Sequence, residues 1–180
     1  MSTAQTGGPA SPESDTLNVT VRDCTPRWSL RVAPADAAAM GTALGVELPL
    51  RIGAVGSEGP RRALCLGPDD WLLIAPDLPD LSDAPLHALT RIADREQTVT
   101  VTGPGATALI AIGCPRDMRC IAPGTGCRTV FDEAQVILWR DGPEAFRLDV
   151  WRSFLPHVVA LLETGVRELR AEAALAEGDT

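Results

Sequence analysis

The sequence predicts an α+β fold: antiparallel sheets with helices packed on one face, arranged as two split β-α-β lobes that meet near residue 95. Three observations carry this reading. Short runs with a two-residue apolar period outnumber runs with a helical period. Several neighbouring runs are separated only by turn residues, so they pair as antiparallel hairpins. Each helical run between strands has one apolar stripe, which suits a helix lying on a sheet. With 180 residues and 45% hydrophobic content, the chain can bury a substantial core.

Residues 1–16 are rich in Gly, Ser, Pro and Thr and have little to bury, so they are expected to form a disordered arm before a globular unit over 17–170 and a flexible tail over 171–180. Leu17, Val19 and Val21 alternate with Asn18, Thr20 and Arg22, and Trp28, Leu30 and Val32 alternate with Arg27, Ser29 and Arg31, giving two half-buried strands. Pro34 suits the first turn of a short Ala-rich helix that stops near Gly45. Residues 53–60 (GAVGSEGP) read as a loop. Residues 63–66 and 71–75 form a hairpin around Gly67-Pro68-Asp69-Asp70, where Pro then Asp favours a type I turn. Trp71, followed by Leu72, Leu73 and Ile74, reads as core, and Asp69 and Asp70 as turn acids facing water.

Ser82 is placed to N-cap a helix carrying Leu86, Leu89, Ile92 and Ala93 on one face, with His87 in solvent. Val99 and Val101 then alternate with three threonines in a strand. The stretch GPGATA (103–108) follows that strand and opens a helix, matching the dinucleotide-binding pattern G-x-G-x-x-A. Pro104 removes a backbone N–H from the turn that would cradle a pyrophosphate, and no strand ending in an acid follows about 20 residues on. It therefore reads as a tight strand-to-helix turn, with the helix over 106–112 stopping at a C′ glycine, Gly113.

The loop CPRDMRCIAPGTGC (114–127) leads into a strand over 127–131. Residues 133–140 are apolar on both faces, as in a strand covered on two sides. Phe146, Leu148 and Val150 oppose Arg147, Asp149 and Trp151 in the next strand, with Asp141-Gly142 as the hairpin turn. Ser153 N-caps a last helix striped by Leu155, Val158, Val159, Leu162, Val166 and Leu169, in which Gly165 costs about 1 kcal/mol relative to Ala.

Composition removes whole classes of function. All sixteen basic residues are arginines, so lysine-dependent phosphate loops, Schiff bases and Lys/Ser pairs are excluded. A net charge of −8 opposes nucleic-acid binding. No apolar run approaches the roughly 20 residues that span a bilayer, and the N-terminus lacks the basic and apolar regions of a signal peptide, so a cytoplasmic protein without membrane contact is expected. The five cysteines (24, 65, 114, 120, 127) are odd in number and form no C-x-x-C pair, and His87 and His157 lie far from them. Reduced structural thiols, with no metal, follow. Neither histidine has a nucleophile or acid near it in sequence, so no catalytic or cofactor-binding residue is expected. Arg116, Met118, Arg119, Trp151 and Arg152 are residue types enriched at interfaces, and the loop over 114–127 with the strand end at 151–152 is expected to form a contact surface.

Five segments in order carry a family resemblance. LGPDDWLLIAP (66–76) resembles an LGPDEWLL segment; Gly103-Pro104 with Ala106 and Leu109 resembles G-P-x-A-x-x-L; CPRDM (114–118) and PGTGCRT (123–129) resemble C-P-x-D-L and P-G-x-C-x-T; and Trp151-Arg152-Ser153-Phe154 resembles an R-S-F/A entry to the last helix. Over residues 27–170 the chain resembles the gamma subunit of heterotetrameric sarcosine oxidase. The resemblance implies a fold similar to the folate-binding aminomethyltransferase (glycine-cleavage T-protein) module. It also implies a noncatalytic assembly subunit of an oxidoreductase complex acting on CH–NH groups, whose alpha, beta and delta partners hold FAD, FMN, NAD and the tetrahydrofolate site. That complex would oxidise sarcosine to glycine, passing the one-carbon unit to tetrahydrofolate. The small subunit of an N-methylglutamate dehydrogenase-like complex, or an independent folate-binding T-protein-like protein, are the alternatives.

Overall fold

Two five-stranded antiparallel sheets face one another, and each carries its helical layer on the outer side. The computed structural model describes residues 16–23 and 25–178, so the expected arm, apart from Thr16, and Cys24 lie outside the described residues. The elements in order are β1 (Asn18–Arg22), β2 (Arg27–Val32), α1 (Ala37–Leu44), β3 (Val55–Glu58), β4 (Arg61–Gly67), β5 (Asp70–Ile74), β6 (His87–Arg91), β7 (Glu96–Thr102), α2 (Ala106–Gly113), β8 (Thr125–Phe131), β9 (Ala134–Gly142), β10 (Ala145–Trp151) and α3 (Leu155–Gly178). One sheet has the order β3-β4-β5-β2-β6 and the other β1-β7-β10-β9-β8.

Period-2 alternation sorts the side chains of these strands between two layers. In the first sheet Trp28, Leu30, Val32, Ala63, Cys65, Trp71 and Leu73 turn outward and pack with Met40 and Leu44 of α1. In the second, Val99, Val101, Leu138, Phe146, Leu148 and Val150 turn outward against Leu109 and Ile110 of α2 and Val158 and Leu162 of α3. Leu64, Leu72, Ile74, Ile137 and Trp139 turn the other way and form a small apolar cluster between the sheets. β9, which reads as apolar on both faces, is thus covered on both sides.

Two glycines set the helix packing. A Cβ at Gly165 would lie 2.6 Å from Leu109 Cδ1, and one at Gly113 would lie 2.8 Å from the Phe131 ring. Gly113 is thus the last residue of α2 and a close-approach site, not a left-handed C′ residue, whereas Gly45 after α1 does adopt φ 67°.

Several expectations are corrected. Residues 87–91 form a strand, not a helix, because β6 pairs with the otherwise open edge of β2 along Trp28↔Arg91 to Val32↔His87, and main-chain pairing outweighs a weak helical stripe. The segment read as a loop over 53–60 contains β3, paired to β4. β9 runs to Gly142, paired with Ala145, so the hairpin turns at Pro143-Glu144. α3 begins at Leu155, two residues beyond Ser153, and stays helical through Gly178, across most of the expected tail.

Candidate functional site

β2 supplies the central charge of the molecule. Its outward residues are apolar, so Arg27, Ser29 and Arg31 point at the second sheet, and Arg27 is only 2% exposed. Strand alternation in β7 and β10 brings Glu96, Thr98 and Asp149 to meet it. The Arg27 guanidinium lies 2.8 Å from Asp149 Oδ1 and 3.4 Å from Glu96 Oε2, and its Nη2 donates to Thr98 Oγ1 at 3.0 Å. Thr98 Oγ1 in turn donates to Asp149 Oδ1 at 2.7 Å, and Trp139 Nε1 donates to Asp149 Oδ2 at 2.8 Å. Stripping charges of water is expensive, and it is tolerated only where further hydrogen bonds satisfy the remaining polar atoms, as here.

Other pairs cross between the sheets. Arg128 of β8 donates to Asp70 of β5 at 3.1 Å and Arg62 of β4 meets Asp141 of β9 at 3.4 Å, while Arg31 of β2, in the same sheet as Asp70, lies 3.4 Å from that carboxylate. Asp141 is also gripped by both arms of Arg147, whose guanidinium lies 4.7 Å from the Trp139 ring centre. Backbone contact adds to this, since Gly126 N donates to Gly53 O at 3.0 Å. Asp70 is therefore 4% exposed and bridges sheets, not a solvated turn acid, while Asp69 remains on the surface with Arg31.

A cleft of about 340 Å³ opens beside this network, lined from both sheets by Arg31, Asp70, Arg95, Glu96, Arg128 and Trp151 among others. Trp151 is 38% exposed at its rim, with the Arg95 guanidinium 5.0 Å from its ring centre and Phe154, 39% exposed, 6.5 Å away.

The five residues expected to share a contact surface are not brought together. Met118 is 5% exposed within the core under α2 and α3, so it offers no surface. Arg119 is exposed and held by Asp117, which its Nη2 reaches at 2.8 Å; Arg116 is exposed in the same loop. That loop is tied to Arg140, which donates to the Met118 and Ile121 carbonyls and pairs with Phe146 at the start of β10. Trp151 lies at the far end of β10, about 17 Å away at 3.4 Å per residue, and on the inter-sheet side. Trp151, Arg152 and Phe154 form one corner; Arg116 and Arg119 belong to another.

Several groups with chemical potential elsewhere are engaged. The N-terminus of α2, where a phosphate would bind, is filled by Glu144: Thr107 N donates to Oε2 at 2.8 Å and Thr107 Oγ1 to Oε1 at 2.9 Å. Gly103 and Gly105 have φ of 100° and 88°, and a Cβ at Gly103 would lie 2.3 Å from Thr16 O, so the turn's glycines answer to β1 and the helix entry. His157, expected to be isolated, bonds Asp132 Oδ2 at 2.8 Å, and that contact, with the Glu133 N–H, holds the Asp132 carboxyl below its ordinary range. His87 is half-buried with Nδ1 2.7 Å from Pro85 O. Cys65, Cys114, Cys120 and Cys127 are free thiols; burial pushes those of Cys65 and Cys127 up, away from the reactive thiolate. Among the described residues no group of three or more His, Cys, Asp or Glu side chains is arranged to hold a metal ion, and no helix is long and apolar enough to cross a membrane.

Paired antiparallel sheets with outer helices define a class. The arrangement superposes on glycine cleavage system aminomethyltransferase T from Bartonella henselae with a TM-score of 0.59 at 11% identity, covering 82% of this chain and 45% of that one, a likeness of fold. A closer match, TM-score 0.76 at 26% identity with 87% of both chains covered, is to a chain of heterotetrameric sarcosine oxidase from Corynebacterium sp. U-96 solved with pyrrole 2-carboxylate. The model of the sarcosine oxidase, gamma subunit family matches residues 30–167, and the chain belongs to that family. Sarcosine oxidase subunit gamma of Corynebacterium sp. strain U-96 is 30% identical over 167 residues (85% of this chain, 82% of that one), and its counterpart in strain P-1 is 31% identical over 146 (75% and 71%).

Proposed function

We propose that this chain is the gamma subunit of a heterotetrameric sarcosine oxidase-like complex and serves it as a rigid, noncatalytic body. The observation that carries the reading is similarity to one chain of such a tetramer over 87% of both chains. The geometry supports it: Arg27 with Glu96 and Asp149, and Arg128 with Asp70, bind one another across the two sheets, an arrangement that stiffens a body. Alpha, beta and delta partners would carry FAD, FMN, NAD and the tetrahydrofolate site, and the assembled complex would oxidise sarcosine to glycine in the cytoplasm.

The corner of Trp151, Arg152 and Phe154 is the first candidate for the partner contact, because a half-exposed tryptophan and phenylalanine beside two arginines match the composition of interface anchors. Arg116 and Arg119 would form a separate contact. Co-expression with candidate flavin-bearing subunits tests this. The chain alone should purify colourless, sarcosine turnover should require it, and Trp151→Ala with Arg152→Ala should release it from the complex. Flavin absorbance in the single chain, or unchanged co-purification of the double variant, would count against the proposal.

A further inference from the structure

We infer that the cleft between the two sheets binds a small organic anion, a carboxylate with a compact apolar body, through Arg95 and Arg128. The inference does not rest on the assembly reading, since it concerns this chain alone.

Charge placement is the first argument. The carboxylates lining the cleft are sunk below it: the side chains of Asp70, Glu96 and Asp149 are 6%, 3% and 0% exposed. The guanidiniums at its mouth are open: Arg31, Arg95 and Arg128 are 53%, 50% and 43% exposed. A molecule entering from solvent therefore meets cationic groups first, in a chain whose net charge is −8. Mutual pairing of the buried charges fixes where these guanidiniums stand, so little ordering remains to be done on binding.

Donor capacity is the second. A guanidinium carries five N–H donors. Arg128 gives one to Asp70 and Arg95 gives one to Glu96, each at 3.1 Å, which leaves each arginine able to grip a carboxylate in two-pronged fashion. Arg31 is more heavily committed, to Asp69 and Asp70 together.

Size and lining set the class of ligand. At about 340 Å³ the cleft falls in the range of small-molecule sites. Leu66 and Ile92, both half-buried, give the mostly polar lining a smaller apolar share, which suits a compact apolar body beside the carboxylate.

Calorimetric titration of the full chain with cyclohexanecarboxylate, and with neutral cyclohexanecarboxamide, tests the inference. The carboxylate should bind about tenfold tighter than the amide, and Arg95→Gln and Arg128→Gln should each weaken it about fivefold or more, while Arg119→Gln leaves it unchanged. Both cleft variants should keep their fold, because Glu96 retains Arg27 and Asp70 retains Arg31. Circular dichroism checks this, and if a glutamine variant unfolds, Arg→Lys at the same position, which keeps the charge but not the fork, should show the weakening. No binding of the carboxylate, equal binding of the amide, or unaltered affinity in folded cleft variants would overturn the inference. None of these results would touch the assembly reading, which is judged by co-purification.

Discussion

The outer and facing sides of the two sheets solve the same problem of burial by different means. On the outer sides, Val101, Leu138, Phe146 and Leu148 meet Leu109 and Leu162 of the helices in an all-apolar layer that needs only shape and volume. On the facing sides, Leu72, Ile74 and Trp139 share the space with Arg27, Asp70, Glu96 and Asp149, whose partners must arrive at fixed angles. A packed apolar layer tolerates conservative swaps, whereas a buried ion network tolerates almost none, because losing one member strands the others without water.

Arg27→Met is the sharpest way to break this contrast. It leaves Asp149 with Thr98 and Trp139 but no cation, and should cost about 3–5 kcal/mol. Urea unfolding would read this, with an expected midpoint well below that of the wild type. Adding Asp149→Asn should recover part of the loss, since the stranded charge is then gone. A loss under about 1 kcal/mol in the single variant would mean that the facing sides are held by apolar contact alone.

Leu109 probes the other side. Leu109→Ala should cost about 2–5 kcal/mol by cavity formation between α2 and α3, but Leu109→Met should cost less than about 1.5 kcal/mol. Thermal melts of the two variants give the ratio. If Leu109→Met is as damaging as Arg27→Met, the outer layer is as exacting as the facing one and the distinction fails.

The smallest effect belongs to an exposed pair that resembles the buried network only in chemistry. Asp132 and His157 are 46% and 49% exposed, so their contact is screened by water. The Asp132 carboxyl is depressed in the folded state, so its stabilisation is present above its unfolded value of about 3.9 and is lost as pH falls through the lower folded value. Asp132→Asn keeps a residue that tolerates the observed φ of 53°. Its melting temperature should fall slightly below wild type near neutral pH and converge with it in strong acid. A gap that widens on acidification would reverse the sign.

Legibility in the sequence followed the range of the interaction. Alternation along 98–102 and 146–150, the Gly45 stop and the doubly apolar run at 136–139 state local requirements, and each appears as read. β6 did not, because its partner β2 lies some 60 residues earlier and its own stripe, Leu86 to Ala93, is ambiguous between periods. The family resemblance placed the fold but could not show which surface residues stand together: Met118 went into the core, and the loop at 116–119 was separated from Trp151 by the length of β10.

What the sequence determined by itself was most of the strands, though not β3 or β6, the Gly45 stop, the lack of any lysine and the family. What only the tertiary structure decided was the meaning of the polar half of each strand. Arg27, Glu96, Thr98 and Asp149 look like ordinary solvent-facing positions in an amphipathic strand. They are buried because a second sheet covers the first, bringing together groups 69 residues apart in the Arg27–Glu96 pair and 58 apart in the Arg128–Asp70 pair. A period-2 pattern records that two faces differ, but whether the polar face meets water or another polar face is fixed by packing between distant segments, which no local spacing encodes.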